Sequence, residues 1–532
     1  MDRSRAESPP SSMSRPGGHL NALDATFLEL EQADSGAHMH IGGVMIFEPC
    51  GGGGAPPIER IRAELEARTA DLPRYRERLS SSETGGLHWP EWVEDERFDI
   101  ARHVLRKGLP EPRGEAELLE WAGDYYSRRL DRGHPLWETA VLELADGRWA
   151  MASKTHHCLV DGVGSVEMVH TLLDERPDAR PRANGVREEP EGRPSLEAPE
   201  SGSPLLAPLR LGAGVLGAGV RTGRGALTLA ASGLRLGARG VDMSLHPDRA
   251  REALSRSRAL VELVLRDEVI AAPASSINAP IGAQRRLVVL PVPLAELKRI
   301  KQTLGGTVND VVLAATAGGL RTLFETRGEP PPEPGLRAMV PVNIRSAGDR
   351  LALGNRITSL FVHLPVAERV PRERYRQQVE EAEGLKSGRQ GTGSSAMIDL
   401  AGHAPPVLHS FLARSLFASR LFNITITNVP GPQEPLYSFG SRMLEVWPIV
   451  PLAADHAVGL AVFSYDGRLF FCLNADRDSM PDLEVLADGI SASLDELGEL
   501  ATEVGSVVAP DTAGGFPPMP GSSADHMVIP RS

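Results

Sequence analysis

Cysteine, aromatic residues and long uncharged apolar runs are all scarce in this chain. Only Cys50, Cys158 and Cys472 occur in 532 residues. An odd number at such wide spacing builds neither a disulfide framework nor a zinc cluster, so reduced thiols in a cytosolic setting are expected. Aromatic residues make up only 5%. No uncharged apolar run reaches the roughly 18 residues that would suggest a membrane-spanning helix. The longest glycine- and leucine-rich runs, Leu211–Val220 and Gly225–Leu234, each end at an arginine. The first 18 residues lack the apolar stretch of a secretory signal. Positive charge is also in deficit, with 57 basic against 70 acidic residues and a net charge of −13. That balance repels phosphate backbones and argues against a nucleic-acid partner.

What remains is ordinary globular composition, 41% hydrophobic and 24% charged. The 54 glycines and 43 prolines point to long loops and tails. The pattern divides into a tail at 1–18, a folded half at 19–175, a linker at 176–280, a second half at 281–505 and a tail at 506–532. Within the linker, Ser203–Val241 holds Arg210, Arg221, Arg224, Arg235 and Arg239 with no acidic residue. Such a segment suits an anionic lipid surface, or it is a glycine-loosened helical connection packing on the two halves.

The halves echo each other. Thr139–His157 reads as strand, Asp146-Gly147 turn, strand, and Gly459–Asp478 repeats it around Asp466-Gly467. Superposing the turns sets His156-His157 against Asp476-Arg477, so only the first copy carries histidines.

The most informative stretch is Lys154-Thr155-His156-His157-Cys158-Leu159-Val160-Asp161-Gly162-Val163-Gly164, where a strand ends and a glycine-bearing loop begins. A neutral imidazole accepts a proton at cellular pH. Adjacent residues at a strand end face opposite ways, so one histidine can face a cleft while the other supports the loop. The alternative is two core or surface histidines beside a turn. A zinc site built on His156, His157 and Asp161 is disfavoured because consecutive histidines splay apart. A Cys158 nucleophile activated by His157 fails for the same reason. Phosphate-loop, dinucleotide and serine-elbow motifs are missing.

His156-His157-Cys158-Leu159-Val160-Asp161-Gly162 fits the His-His-x-x-x-Asp-Gly motif of CoA- and carrier-dependent acyltransferases. The chain further resembles the bacterial wax ester synthase/acyl-CoA:diacylglycerol acyltransferases. The resemblance rests on Leu20–Glu31 with Met39-His40-Ile41-Gly42, Pro135-Leu136-Trp137, Thr307-Val308-Asn309-Asp310, Pro341-Val342-Asn343-Ile344-Arg345, Gly354-Asn355-Arg356 and Asn428-Val429-Pro430-Gly431-Pro432. It covers about Leu20–Leu497. It implies an α/β fold of two chloramphenicol-acetyltransferase-like domains with an active-site tunnel at their interface. Acyl-CoA would be the co-substrate, with no metal or other cofactor, and diacylglycerol or a long-chain alcohol the acceptor. Another hydrophobic alcohol, or a non-catalytic lipid-surface protein that kept the fold, are the competing expectations. The implied location is cytoplasmic, peripheral on the inner membrane or on lipid bodies.

On that resemblance His157 is the general base and His156 its support. Gly162 and Gly164 let backbone approach the pantetheine arm. Asn309, in the first turn of a helix expected over Val308–Thr326, is placed to donate to an oxyanion. Asp310 completes a capping box with Thr307. His40 is expected to line the cleft, Arg76 to pair with Asp161, and Pro135 and Trp137 to be structural.

Overall fold

A computed structural model describes residues 20, 22–70, 72–80, 90–159, 173–178, 272–343, 357–386 and 421–508. Asp161, Gly162, Gly164, the helical pattern after them, the basic segment 203–241, the Gly354-Asn355-Arg356 motif and the tails 1–18 and 509–532 lie outside the described residues.

The strands are β1 (His40–Phe47), β2 (Glu77–Leu79), β3 (Trp92–Glu94), β4 (Val104–Arg106), β5 (Trp137–Glu143), β6 (Trp149–His156), β7 (Arg285–Pro293), β8 (Leu336–Asn343), β9 (Ile357–Leu364), β10 (Ile424–Val429), β11 (Tyr437–Ser438), β12 (Ser441–Ile449), β13 (Val458–Tyr465) and β14 (Arg468–Asp476). The helices are α1 (Ala22–Ala33), α2 (Ile58–Thr69), α3 (Ile100–His103), α4 (Glu115–Tyr126), α5 (Leu294–Leu304), α6 (Val308–Thr326), α7 (Pro371–Lys386) and α8 (Leu483–Val508). Two six-stranded sheets run in the orders β11-β12-β1-β6-β5-β4 and β7-β14-β13-β10-β8-β9, and β2-β3 forms a ribbon.

Both expected hairpins form. β5 pairs antiparallel with β6, and β13 with β14. Their turns need positive φ, which Gly147 and Gly467 supply at 86° and 79°. Each hairpin sits inside its own sheet, the repeat that the sequence shows.

The halves interlock more than two successive domains would. β11 and β12 belong to the second half of the chain, yet β12 pairs antiparallel with β1 and closes the first sheet. Gly43 permits this, because a Cβ there would stand 2.8 Å from the Trp447 carbonyl oxygen. Both apolar cores therefore mix the halves: Trp447, Phe463 and Phe470 join the first, while Phe27, Leu30 and Met39 join the second. Ile277, from the stretch before β7, is also fully buried in the second core.

Arg285 fastens the seam. It is 2% exposed, its backbone N–H donates to Ser127 Oγ at 2.8 Å, and its guanidinium donates to the carbonyls of Gly36 and, at 2.7 Å, Gly282. Asp476, the position matching His156 in the repeat, lies 3.8 Å away as counter-charge. Burial lowers the guanidinium pKa to about 10 against the opposing pull of Asp476 and Asp34. In the second half, the end of the repeated hairpin thus does structural work.

α6 runs through the second core with every residue from Asp310 to Arg321 buried. Gly305 ends α5 at φ 87°, and Thr307 caps α6. Thr307 N–H donates to Asp310 Oδ2 at 2.8 Å, and Asp310 N–H to Thr307 Oγ1 at 3.3 Å, the expected capping box. Among the described residues, no helix is long and apolar enough to cross a membrane.

Candidate active site

His156 ends β6 and His157 follows it, and the backbone holds both tightly. His156 N–H donates to Leu136 O at 2.9 Å, and His157 N–H donates to Met39 O at 2.8 Å. The Pro135-Leu136-Trp137 segment therefore anchors the histidine strand directly. Trp137 is 5% exposed, donates from Nε1 to Tyr75 O at 2.9 Å and stacks on His103 with centroids 4.6 Å apart.

The two rings have different surroundings, although both meet α1, His156 at Glu31 and His157 at Phe27. His156 is 1% exposed and His157 is half-buried. The His157 ring stacks on Phe27 with centroids 3.8 Å apart and planes 17° from parallel, which fixes its plane. His156 Nδ1 accepts the Cys158 N–H at 3.1 Å, so the neutral ring carries its proton on Nε2. That nitrogen faces Glu31 at 3.5 Å, long for a hydrogen bond but close enough for strong electrostatic coupling.

Glu31 is the residue that sequence reasoning missed. It stands in the last turns of α1, with its side chain 2% exposed. Its carboxylate meets Arg132 Nη2 at 2.6 Å, His40 Nε2 at 3.5 Å and His156. Burial pushes its carboxyl pKa up, but His156, His40 and Arg132 together outweigh burial and hold it well below the ordinary carboxylate range. Burial lowers the His156 pKa despite Glu31, and lowers that of His40 further, with His156 adding to the effect. The cluster is thus a buried carboxylate held in its ionised form beside one arginine and two imidazoles whose protonation burial opposes. His40 sits opposite His156 in the β1–β6 register and is 3% exposed, behind the histidine pair. The one sequence hint of Glu31 is an acid among apolar residues on an amphipathic helix, a pattern that a solvated face produces equally well.

Lys154, on the same strand, is 2% exposed and donates from Nζ to Tyr125 O and Arg128 O, both at 3.0 Å. Burial lowers its pKa to about 8. It satisfies carbonyls at the end of α4. Cys158 is 2% exposed, and burial pushes its thiol pKa well above normal, unlike a reactive thiolate.

Arg76 stands against Glu66 at 3.3 Å and over the Phe98 ring at 4.7 Å, and its expected partner Asp161 lies outside the described residues. Asn309 is half-buried in the first turn of α6, and its Oδ1 accepts from Asn428 Nδ2 at 3.3 Å. One continuous apolar core contains Phe27, Val311 and Val312 of α6, and Ile426 of β10. It thereby joins the ring that backs His157 to the elements bearing both asparagines.

Five buried histidines, His38, His40, His103, His156 and His456, have pKa values lowered by burial. The unfolded chain binds protons near pH 6.5 that the folded chain refuses. Their stabilising contribution is complete above that pH and declines as pH falls through it, by up to about 1.4 kcal/mol per pH unit for each histidine. Urea unfolding at pH 7.5 and 5.5 should show a clearly lower midpoint at pH 5.5; equal midpoints would mean that these rings accept protons in the fold.

Residues 20–312 match the model of the wax ester synthase/diacylglycerol acyltransferase catalytic domain, and 353–498 that of the family's C-terminal domain. The probable diacylglycerol O-acyltransferase tgs1 of Mycobacterium tuberculosis is 32% identical over 497 residues, covering 90% of this chain and 95% of its own. A second, tgs2, is 33% identical over 479 residues, with 89% and 97% covered. The wax ester synthase/diacylglycerol acyltransferase of Marinobacter aquaeolei VT8 superposes with a TM-score of 0.62 at 26% identity, covering 91% of this chain and all of that one. A starter condensation domain of rhizomide synthetase shares the fold at 15% identity, with a TM-score of 0.53 and coverage of 91% and 94%. With both family domains matched in order along the chain, this protein belongs to the wax ester synthase/diacylglycerol acyltransferase family.

Proposed function

We propose that the protein transfers a fatty acyl group from acyl-CoA directly to the hydroxyl of a diacylglycerol or long-chain alcohol, with His157 as general base. The observation that carries this reading is the contrast within the histidine pair. His157 is half-buried, with its backbone tied to Met39 and its ring held against Phe27, whereas its neighbour is locked in the Glu31 cluster.

A thioester is already activated, so the difficult step is making the alcohol nucleophilic. The His157 ring takes the hydroxyl proton as the oxygen bonds to the thioester carbonyl carbon. The tetrahedral oxyanion accepts a hydrogen bond from Asn309. The C–S bond then breaks, and the CoA thiolate takes the proton from the imidazolium. A positioned base supplies about 10²–10⁴-fold, and an oxyanion donor about 10²–10³-fold. In this reading Asp161 holds the loop, Gly162 and Gly164 admit the pantetheine arm, and the acyl chain and acceptor meet in a tunnel between the halves. Insoluble products favour a peripheral site on the inner membrane or lipid bodies, with segment 203–241 as the contact.

CoA release from palmitoyl-CoA, measured against a panel including diolein and hexadecanol, tests the reading. Release matched by ester with one or both acceptors is expected. A folded protein that releases no CoA with any alcohol would be a lipid-surface protein instead.

A further inference from the structure

The Asn428-Val429-Pro430-Gly431-Pro432 segment has no role in the chemistry above, yet its first residue makes a hydrogen bond 119 positions away. Asn428 Nδ2 donates to Asn309 Oδ1 at 3.3 Å. We propose that Asn428 is a positioning residue that holds the Asn309 amide with its oxygen turned inward and its NH2 free for the substrate carbonyl. This rests on the reading of Asn309 as the oxyanion donor.

An asparagine amide can point either way, and only its nitrogen stabilises a developing negative charge. At a helix N-terminus the backbone dipole favours an anion, but it does not choose which end of a nearby amide faces it. With the Asn428 amide nitrogen toward Asn309, as it stands in the structure, the donor aimed at Asn309 Oδ1 makes that choice. Among the described residues, Asn309 Nδ2 has no protein acceptor, which leaves it available.

Both partners sit on rigid supports. Asn309 follows the Thr307–Asp310 capping box, and Tyr375 OH donates to Gly305 O at 2.6 Å, pinning the turn before it. Asn428 lies on β10, paired in register with Val462 of β13. The turn beyond it is pulled onto β13, where Gly431 N–H donates to Ser464 Oγ at 3.1 Å. A Cβ at Gly431 would stand 2.3 Å from both the Phe463 ring and the Ser464 carbonyl oxygen, so the segment can approach this closely only with glycine. Pre-organisation of this kind lets a hydrogen-bond donor act without reorganising during reaction.

Asn428→Asp and Asn428→Ala separate positioning from packing. An aspartate accepts where asparagine donates, so it draws the Asn309 NH2 inward and turns the oxygen toward the oxyanion. Asn428→Asp should therefore lower kcat by about 10²-fold, close to the loss in Asn309→Ala, with KM for palmitoyl-CoA within about threefold of wild type. Asn428→Ala, which frees the amide to turn, should lose about tenfold. The Asn309→Ala/Asn428→Asp double variant should be no worse than Asn309→Ala alone, because the two act as a unit. Losses that multiply, or equal small losses in both Asn428 variants, would overturn the positioning role. If Asn428→Asp does not fold, non-additivity of Asn428→Ala with Asn309→Ala carries the same test. If Asn309→Ala keeps full turnover, the oxyanion reading falls and the positioning role with it. If Asn309→Ala is crippled and Asn428→Asp is not, only the positioning role falls.

Discussion

Replacing His157 by alanine should cut turnover by about 10²–10⁴-fold, the range that a positioned base contributes, while the melting temperature stays near that of wild type. The side chain is half-buried and its ring stacks on Phe27, while the backbone N–H bond to Met39 does not depend on the ring, so truncation leaves the strand and its backbone bonds in place. His156→Ala should behave differently. That ring is 1% exposed, accepts the Cys158 N–H and faces Glu31. Its removal leaves a cavity, an unpaired N–H and a carboxylate with one partner fewer, so stability and activity should fall together. Steady-state CoA release and thermal melts on the two variants check this. Small, equal losses in both would remove His157 from the base role.

Glu31→Ala should lower both stability and turnover, although Glu31 touches no reacting atom in this account. Its carboxylate is the single anion among Arg132, His40 and His156. Breaking a fully buried pair costs about 3–5 kcal/mol. Arg132 is 32% exposed and can turn partly to water, so about 2–3 kcal/mol is the expectation here. Turnover should fall about tenfold as the His156 support loosens, with KM for palmitoyl-CoA unchanged, because a misplaced base weakens the transition state rather than ground-state binding. Glu31→Gln keeps the volume but loses the charge, and should lie between alanine and wild type in melting temperature. Wild-type melting and turnover in Glu31→Ala would show that the cluster is incidental.

The contrast between Glu31 and the hairpins shows what a sequence can carry. Asp146-Gly147 and Asp466-Gly467 announce their turns because positive φ selects glycine locally, and both hairpins form. The bounds of α6 and its Thr307–Asp310 box were equally legible, being a cap three residues from its partner. The burial of Trp137 at the start of β5 followed from its place at the head of an apolar strand. Long-range partners leave no such local mark. Nothing periodic says that β12 closes the first sheet beside β1, that Arg285 reaches Gly36 across 249 positions, or that Asn428 meets Asn309. Glu31 belongs to the same class, since its role depends on Arg132 folding over it from beyond α4. The histidine pair stood out because its motif is contiguous; the residues around it did not, because they come from three separate segments, α1, residues 39–40 and residues 132–136.

Rapid-quench measurement of CoA release from palmitoyl-CoA, with and without hexadecanol, tests direct transfer to a His157-activated alcohol most plainly. Without alcohol, the wild-type protein should release no burst of CoA, and its intact mass should be unchanged. With alcohol, CoA and ester should appear together in equal amounts, and His157→Ala should slow both equally. A burst of one CoA per protein without acceptor, with the mass raised by one acyl group, would contradict the account and replace direct transfer with an acyl-enzyme.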